Sequence, residues 1–296
     1  MNPKEQRTVL LALNAAPDLQ RATKCRLGSD PVSWTGSPPP GGLKELARRC
    51  QVPVSHLKTA RRLLGSAGQI ATAEEKRAER LGARIVTLGD EEYPESLHQL
   101  PLPPPVLYLR GRLPPGPSLA MVGSRACSPY GREAAHFFAS HLARGGVPVV
   151  SGFARGIDQT SHKGALEPSR GRTVAVLGCG LDVPYPRGTR DLADRIGDRG
   201  ALVTEFPLGT PPRKRNFPTR NRIIAALAEG GTLVVEAAPR SGSLITARHA
   251  LELGREIYAL PGRIFDEKSL GTNALLRDGA TPALHPVDIL RSLGVA

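Results

Sequence analysis

Residues 119–131 read LAMVGSRACSPYG, and this stretch decides the fold. Leu119–Val122 is a short apolar run without polar alternation, the pattern of a strand covered on both faces. Gly123-Ser124-Arg125 follows at once, and a helical stretch runs from Gly131 to Arg144. Strand, glycine turn and helix make the first half of a βαβ unit. Runs of the same kind recur at Val147–Val150, Thr173–Leu177, Ala201–Thr204, Thr232–Val235 and Glu256–Leu260. Further helical stretches, Asp191–Asp198, Asn221–Glu229 and Ser243–Leu253, separate them. The alternation predicts an α/β domain: a mostly parallel sheet with helices on both faces.

Upstream, residues 1 to about 80 read as short helices at Glu5–Ala15, Gly42–Cys50, Val54–Leu64 and Ala73–Leu81. Gly28–Gly42, rich in Gly, Pro and Ser, reads as a loop. A proline-rich joint, LPLPPPV at 100–106, leads into a short strand at Leu107–Arg110. The organisation expected is a helical domain over 1–82 and the α/β domain over 83–296.

The 296 residues carry 40 Lys plus Arg against 27 Asp plus Glu, a net charge of +13. Such an excess favours a polyanionic partner, nucleic acid or an acidic membrane surface. No apolar run approaches the ~20 residues a membrane span needs. The start, MNPKEQRTVLLALNAAP, lacks a secretory apolar core with a cleavage site. Cys25, Cys50, Cys127 and Cys179 are far apart with no C-x-x-C pair, and the histidines show no H-E-x-x-H spacing. A cytoplasmic protein with reduced thiols, no metal site and no cofactor is the expectation.

In parallel sheets, ligands bind at the carboxyl ends of the strands. There this chain places Gly123-Ser124-Arg125, Ser151-Gly152-Phe153-Ala154-Arg155-Gly156, Gly178-Cys179-Gly180 and Ser241-Gly242-Ser243. Glycine lets backbone amides approach a ligand, and amides at a helix start favour a phosphate. Arg125 and Arg155 add charge and a bidentate fork. The dinucleotide fingerprint G-x-G-x-x-G fails at Val183, and no G-x-x-x-x-G-K-[ST] occurs.

The most basic stretch is Pro211–Arg222, PPRKRNFPTRNR: Arg213, Lys214, Arg215, Arg220 and Arg222 surround Phe217, without an acid. Cations can follow the phosphates of a single strand while a ring stacks on a base. Phe217 could equally pack on the core at a helix entry. Asp158, Asp182, Glu205 and Glu236 stand at or after strand ends, where a hydrolase would put its acids. They read rather as partners of arginines and helix starts. Ser124, Ser151 and Cys179 have no histidine at a diagnostic position, and His162 reads as a helix-surface residue.

VGSRACSPYG (122–131), SGFARGIDQTSHKGAL (151–166), AVLGCGLDVPYP (175–186), TEFPLGTPP (204–212), FPTRNRIIAAL (217–227), LVVEAAPRSGSLITARHAL (233–251) and ALPGRIFDEKSLGTNALLRDGA (259–280) resemble, in order, the DprA (Smf) family of DNA-processing proteins. YPESLHQLPLPPPVLYLRG (93–111) resembles the family's lead-in. The resemblance implies a Rossmann-like domain that binds single-stranded DNA, protects it, forms a homodimer and loads the RecA recombinase in natural transformation, without catalysis. It implies that Arg125, Lys214 and Phe217 form the DNA pocket, that Gly123 and Ser124 line it, and that Asn221, Arg222 and Arg155 contribute. The helical N-terminal segment resembles the sterile-alpha-motif-like (SAM-like) domain of many members. Their winged-helix-like C-terminal domain is not expected within this chain. The competing enzyme reading is a phosphoribohydrolase on a related scaffold. Its P-G-G-x-G-T-x-x-E loop is matched only by Glu229-Gly230-Gly231-Thr232, without the proline and the second glycine spacing.

Overall fold

A computed structural model describes residues 1–295. The chain divides into two compact units: one holds Met1–Leu109 with Glu205–Thr210, the other Arg110–Thr204 with the residues from Pro211 onward.

The first unit begins with α1 (Pro3–Ala15), whose N-terminus is closed by a reciprocal pair: Glu5 N donates to Asn2 at 2.9 Å and Asn2 N to Glu5 at 3.0 Å. Next come α2 (Arg21–Ser29), α3 (Pro31–Thr35), α4 (Gly42–Arg49), α5 (Val54–Leu63) and α6 (Ala67–Arg80). Leu13, Leu27, Trp34, Leu46 and Leu57 form their core, and the Trp34 indole N–H donates to the Leu27 carbonyl at 2.8 Å. The stretch read as a loop, Gly28–Gly42, contains α3. Asp30 caps it by accepting from Ser33 N at 3.2 Å, and Pro31 stands at its first position, which needs no N–H. A cap and an N-terminal proline thus start a helix inside a segment whose composition signals a turn. Then follow β1 (Ala83–Thr87), α7 (Glu95–His98) and β2 (Val106–Gly111). β1 and β2 are neighbours, and through Leu109 this chain packs with the helices, so the compact unit is not cut at residue 82.

The second unit is the expected α/β domain. In chain order it runs β3 (Leu119–Val122), α8 (Pro129–Arg144), β4 (Val149–Ser151), α9 (Ile157–Ala165), β5 (Thr173–Val176), α10 (Arg190–Arg199), β6 (Ala201–Thr204), α11 (Asn216–Leu227), β7 (Thr232–Val234), α12 (Ser243–Glu252), β8 (Ile257–Ala259), α13 (Glu267–Arg277), β9 (Thr281–Pro282) and α14 (Pro286–Ser292). These strands are ordered β6-β5-β4-β3-β7-β8-β9, and each neighbouring pair is parallel. All residues of β3, β5 and β6 are buried. Successive side chains point to opposite faces, so both faces of the sheet are covered, as the unbroken apolar runs predict. Leu119, Met121, Leu233 and Val235 join Phe138, Leu142, Ile289 and Leu290 of α8 and α14 in one core.

The order places the ligand crevice. From β3 the chain steps to β4 on one side; after β6 it crosses back to β7 on the other. The loops leaving β3 and β7 diverge, and a gap opens between them at the carboxyl edge.

Candidate nucleic-acid interface

A cleft of about 520 Å³ occupies that gap. Gly123 and Arg125 enter it from the loop after β3, Ala154 from the β4–α9 connection, Asp158 from the first turn of α9, Tyr185 from the chain after β5, and Ser241, Gly242 and Ser243 from the start of α12. Lys214, Phe217, Arg220, Asn221 and Ile224 enter from α11 and its lead-in. Positions 217, 220, 221 and 224 follow the i, i+3, i+4, i+7 spacing of one helix face. The structure therefore brings together Gly123, Arg125, Lys214, Phe217 and Asn221 of the expected set. Ser124, Arg155 and Arg222 are not among the lining residues: Arg155 is exposed outside the cleft and Arg222 is buried.

By sequence, all five cations of Pro211–Arg222 are equivalent candidates to follow a phosphate chain. The structure divides them: Arg213, Lys214 and Arg215 are exposed, Arg220 and Arg222 buried. The cause is that α11 already begins at Asn216, whose side-chain amide donates to Gly178 O at 3.0 Å and Pro211 O at 3.3 Å. Helical geometry then turns Arg220 inward, where its guanidinium donates to the carbonyls of Gly152 and Val176. Burial pulls its pKa down to about 10, and Asp158 opposes that shift. Burial also raises the Asp158 carboxyl, against the pull of Arg220 and of the Ala154 N–H, which donates to it at 3.2 Å. A Cβ at Gly152 would come within 2.6 Å of the Arg220 guanidinium and 2.7 Å of the Asp158 carboxylate. Glycine is what lets both groups close on the backbone. Arg220 thus lines the cleft as a buried frame residue rather than as an exposed cation; its spacing of three from Phe217 on a helix is the sequence signal that the two share a face.

The Arg125 loop is held from below. Ile157 N, at the first turn of α9, donates to Ser124 O at 3.2 Å. Gly156 has φ +80°, and a Cβ there would strike Ser124 O at 2.3 Å and Arg125 O at 2.6 Å. Phe153, in the same connection, is a buried non-glycine residue at φ 61°, a conformation that costs on the order of 1 kcal/mol or more. The exposed Arg125 thus stands on a backbone with little freedom. Phe217 is half-buried; its ring lies 5.5 Å from that of Tyr185 and sits against Gly178. Asn221 donates to Gly242 O at 3.1 Å and so ties α11 to the turn that opens α12.

Two of the candidate nucleophiles, Ser151 and Cys179, are engaged otherwise. Ser151 Oγ donates to Met121 O at 2.6 Å, and burial pushes the Cys179 thiol up to about 11. His162 is not on a helix surface: it is fully buried, and burial presses it down to about 3. Thr173 donates to Val149 O at 2.6 Å, so its hydroxyl accepts from His162 Nδ1 at 2.7 Å and fixes the neutral tautomer. Among the described residues, no three His, Cys, Asp or Glu side chains cluster as metal ligands, and no helix is long and apolar enough to cross a membrane.

The fold and cleft define a doubly wound α/β protein whose carboxyl edge carries two exposed cations beside an aromatic ring. The chain belongs to the DNA recombination-mediator protein A family, whose model matches residues 84–294. It is 47% identical to the protein Smf of Escherichia coli over 212 residues, covering 71% of this chain and 56% of that protein. The chain thus spans little more than half of that relative. The solved structure of DNA processing protein A from Streptococcus pneumoniae matches with a TM-score of 0.81 at 31% identity, covering 98% of each chain. DNA processing protein A from Helicobacter pylori, solved for its single-stranded DNA binding mode, matches with a TM-score of 0.63 at 29% identity, covering 71% of this chain and 95% of that one.

Proposed function

We propose that this chain binds single-stranded DNA in the α/β cleft as a recombination mediator that protects the strand and loads RecA, acting as a homodimer in the cytoplasm and without catalysis. One observation carries the reading: Arg125, Lys214 and Phe217, from separate elements, line one cleft at the switch point of the sheet. Arg125 and Lys214 supply charge for phosphates, and Phe217 supplies a ring edge or face for a base. The Helicobacter pylori relative, with its single-stranded DNA binding mode, supports the same ligand. RecA and the second copy of the chain rest on family membership. Arg220 and Asp158 serve as the buried frame of the cleft.

The experiment is fluorescence anisotropy with single- and double-stranded DNA of equal length over a salt series. Single-stranded DNA is expected to bind more tightly. Arg125→Ala should weaken it and lower the slope of log K against log salt by ~1. Equal affinity for both forms, or an unchanged slope, overturns the reading. Incubation with ATP, nucleoside monophosphates and labelled DNA, with and without magnesium, should give no turnover. Turnover lost in Asp158→Asn would establish an enzyme instead.

A further inference from the structure

A second groove, of about 870 Å³, opens at the same carboxyl edge of the α/β unit. Its walls include Tyr130 on α8, Arg263 after β8 and Lys268 on α13. Tyr130 is 53% exposed, an aromatic that the core does not use. Arg263 is exposed and Lys268 half-buried; Asp266, also lining the groove, offsets one of these charges.

Glu236, just past β7, is buried at 4% exposure and also lines the groove. Its carboxylate accepts from the Ser128 N–H at 3.0 Å and from the Ser128 hydroxyl, which itself accepts from Gly131 N at 2.9 Å. A Cβ at Gly131 would lie 2.3 Å from the Glu236 carboxyl carbon, so glycine is needed for the carboxylate to reach the helix. The start of α8 is where a doubly wound sheet commonly holds a ligand phosphate. Here the protein's own anion fills it, and a phosphate entering would meet a fixed carboxylate. The groove is therefore polarised, with Glu236 at the helix start and Arg263 and Lys268 elsewhere on its lining. A nucleotide satisfies this arrangement with its base against Tyr130, an amino N–H toward Glu236, and its phosphate at the cations.

We propose that the Tyr130 groove takes the base of a further nucleotide of the strand whose other part lies in the Arg125–Phe217 cleft, with Arg263 and Lys268 on its phosphate. This rests on the single-stranded DNA reading above. Continuity favours a strand: Arg125 and Tyr130 are five residues apart, at most about 18 Å of extended chain. The turn from Glu236 to Ser241, which runs from one site to the other, carries the exposed Arg240.

The test compares a deoxyadenylate dinucleotide, which fills one site at most, with an oligodeoxyadenylate of about 16 nucleotides, the upper end of site sizes in single-strand grooves. Tyr130→Ala should weaken the long oligonucleotide by about 5- to 150-fold, the factor one stacked base carries, and leave the short one unchanged. Tyr130→Phe should bind like the parent, since the ring and not the hydroxyl is used. Arg263→Ala with Lys268→Ala should lower the salt slope for the long oligonucleotide alone. Long-strand affinity unaltered in Tyr130→Ala, or an equal loss at both lengths, overturns the proposal while the parent's binding leaves the DNA reading intact. No binding by the parent at either length defeats the DNA reading itself. A deoxyadenosine monophosphate titration distinguishes the source: monophosphate binding lost in Tyr130→Ala, with long-strand affinity kept, makes this a free-nucleotide site and overturns the strand assignment.

Discussion

The Arg125 guanidinium carbon lies 4.9 Å from the centre of the Phe217 ring. The exposed cation and the half-buried aromatic of the cleft are thus a single unit before any ligand arrives, an attraction of about 0.5–1 kcal/mol at an exposed site. Arg220 approaches the same ring from within, at 5.9 Å. The ring holds Arg125 in place at the cleft, so less side-chain freedom would be lost if an anion bound there. A base that stacks on Phe217 must share the ring with Arg125 or displace it.

Gly178 sets where that ring lies. A Cβ at Gly178 would fall 2.8 Å from Phe217 Cδ1 and 3.0 Å from Cε1. Gly178→Ala is expected to push the ring from its place, weakening single-strand binding by ~1–3 kcal/mol while unfolding free energy falls by no more than about the cost of overpacking, ~1–3 kcal/mol. Anisotropy and urea melts on the same samples measure both. Parental affinity in this variant would show that the ring position is irrelevant to DNA.

Arg220 and Asp158 should be coupled. Arg220→Met removes the donor to Gly152 O and Val176 O and leaves Asp158 buried without its cation. A loss of ~3–5 kcal/mol in stability is expected. Adding Asp158→Asn should recover part of it, because the stranded charge is gone. The full double-mutant cycle, read by denaturant melts, decides: simple additivity would mean that the two groups do not sense each other.

His162 makes stability depend on pH. Its folded-state pKa is about 3 against 6.5 in the unfolded chain, so the unfolded state takes up the proton first. The stability its neutral form contributes is present above 6.5 and is lost as pH falls through the window from 6.5 toward 3. The slope should reach about 1.4 kcal/mol per pH unit. Melts of the parent and His162→Gln between these limits isolate the contribution as their difference. A difference that does not vary with pH would remove His162 as its source.

The sequence by itself determined the class of fold, because its signals are local. Short unbroken apolar runs such as Leu119–Val122, alternating with helical stretches, carry the pattern of strands covered on both faces, and the glycine-rich ends after them mark the carboxyl edge. It also determined that Arg125 and Phe217 were candidates, since each stands where a ligand would be met. It left Phe217 open between stacking and packing, and the ring turns out half-buried, in contact with the frame and open to the cleft. Only the tertiary structure separated the exposed Lys214 from the buried Arg220, because that depends on which face of α11 turns to the sheet. It alone seated Glu236 on the start of α8, a hydrogen bond between residues 108 apart in the chain. Periodicity reports which side chains near one another in sequence share a face. Which distant backbone N–H it will meet is set by the order of the strands.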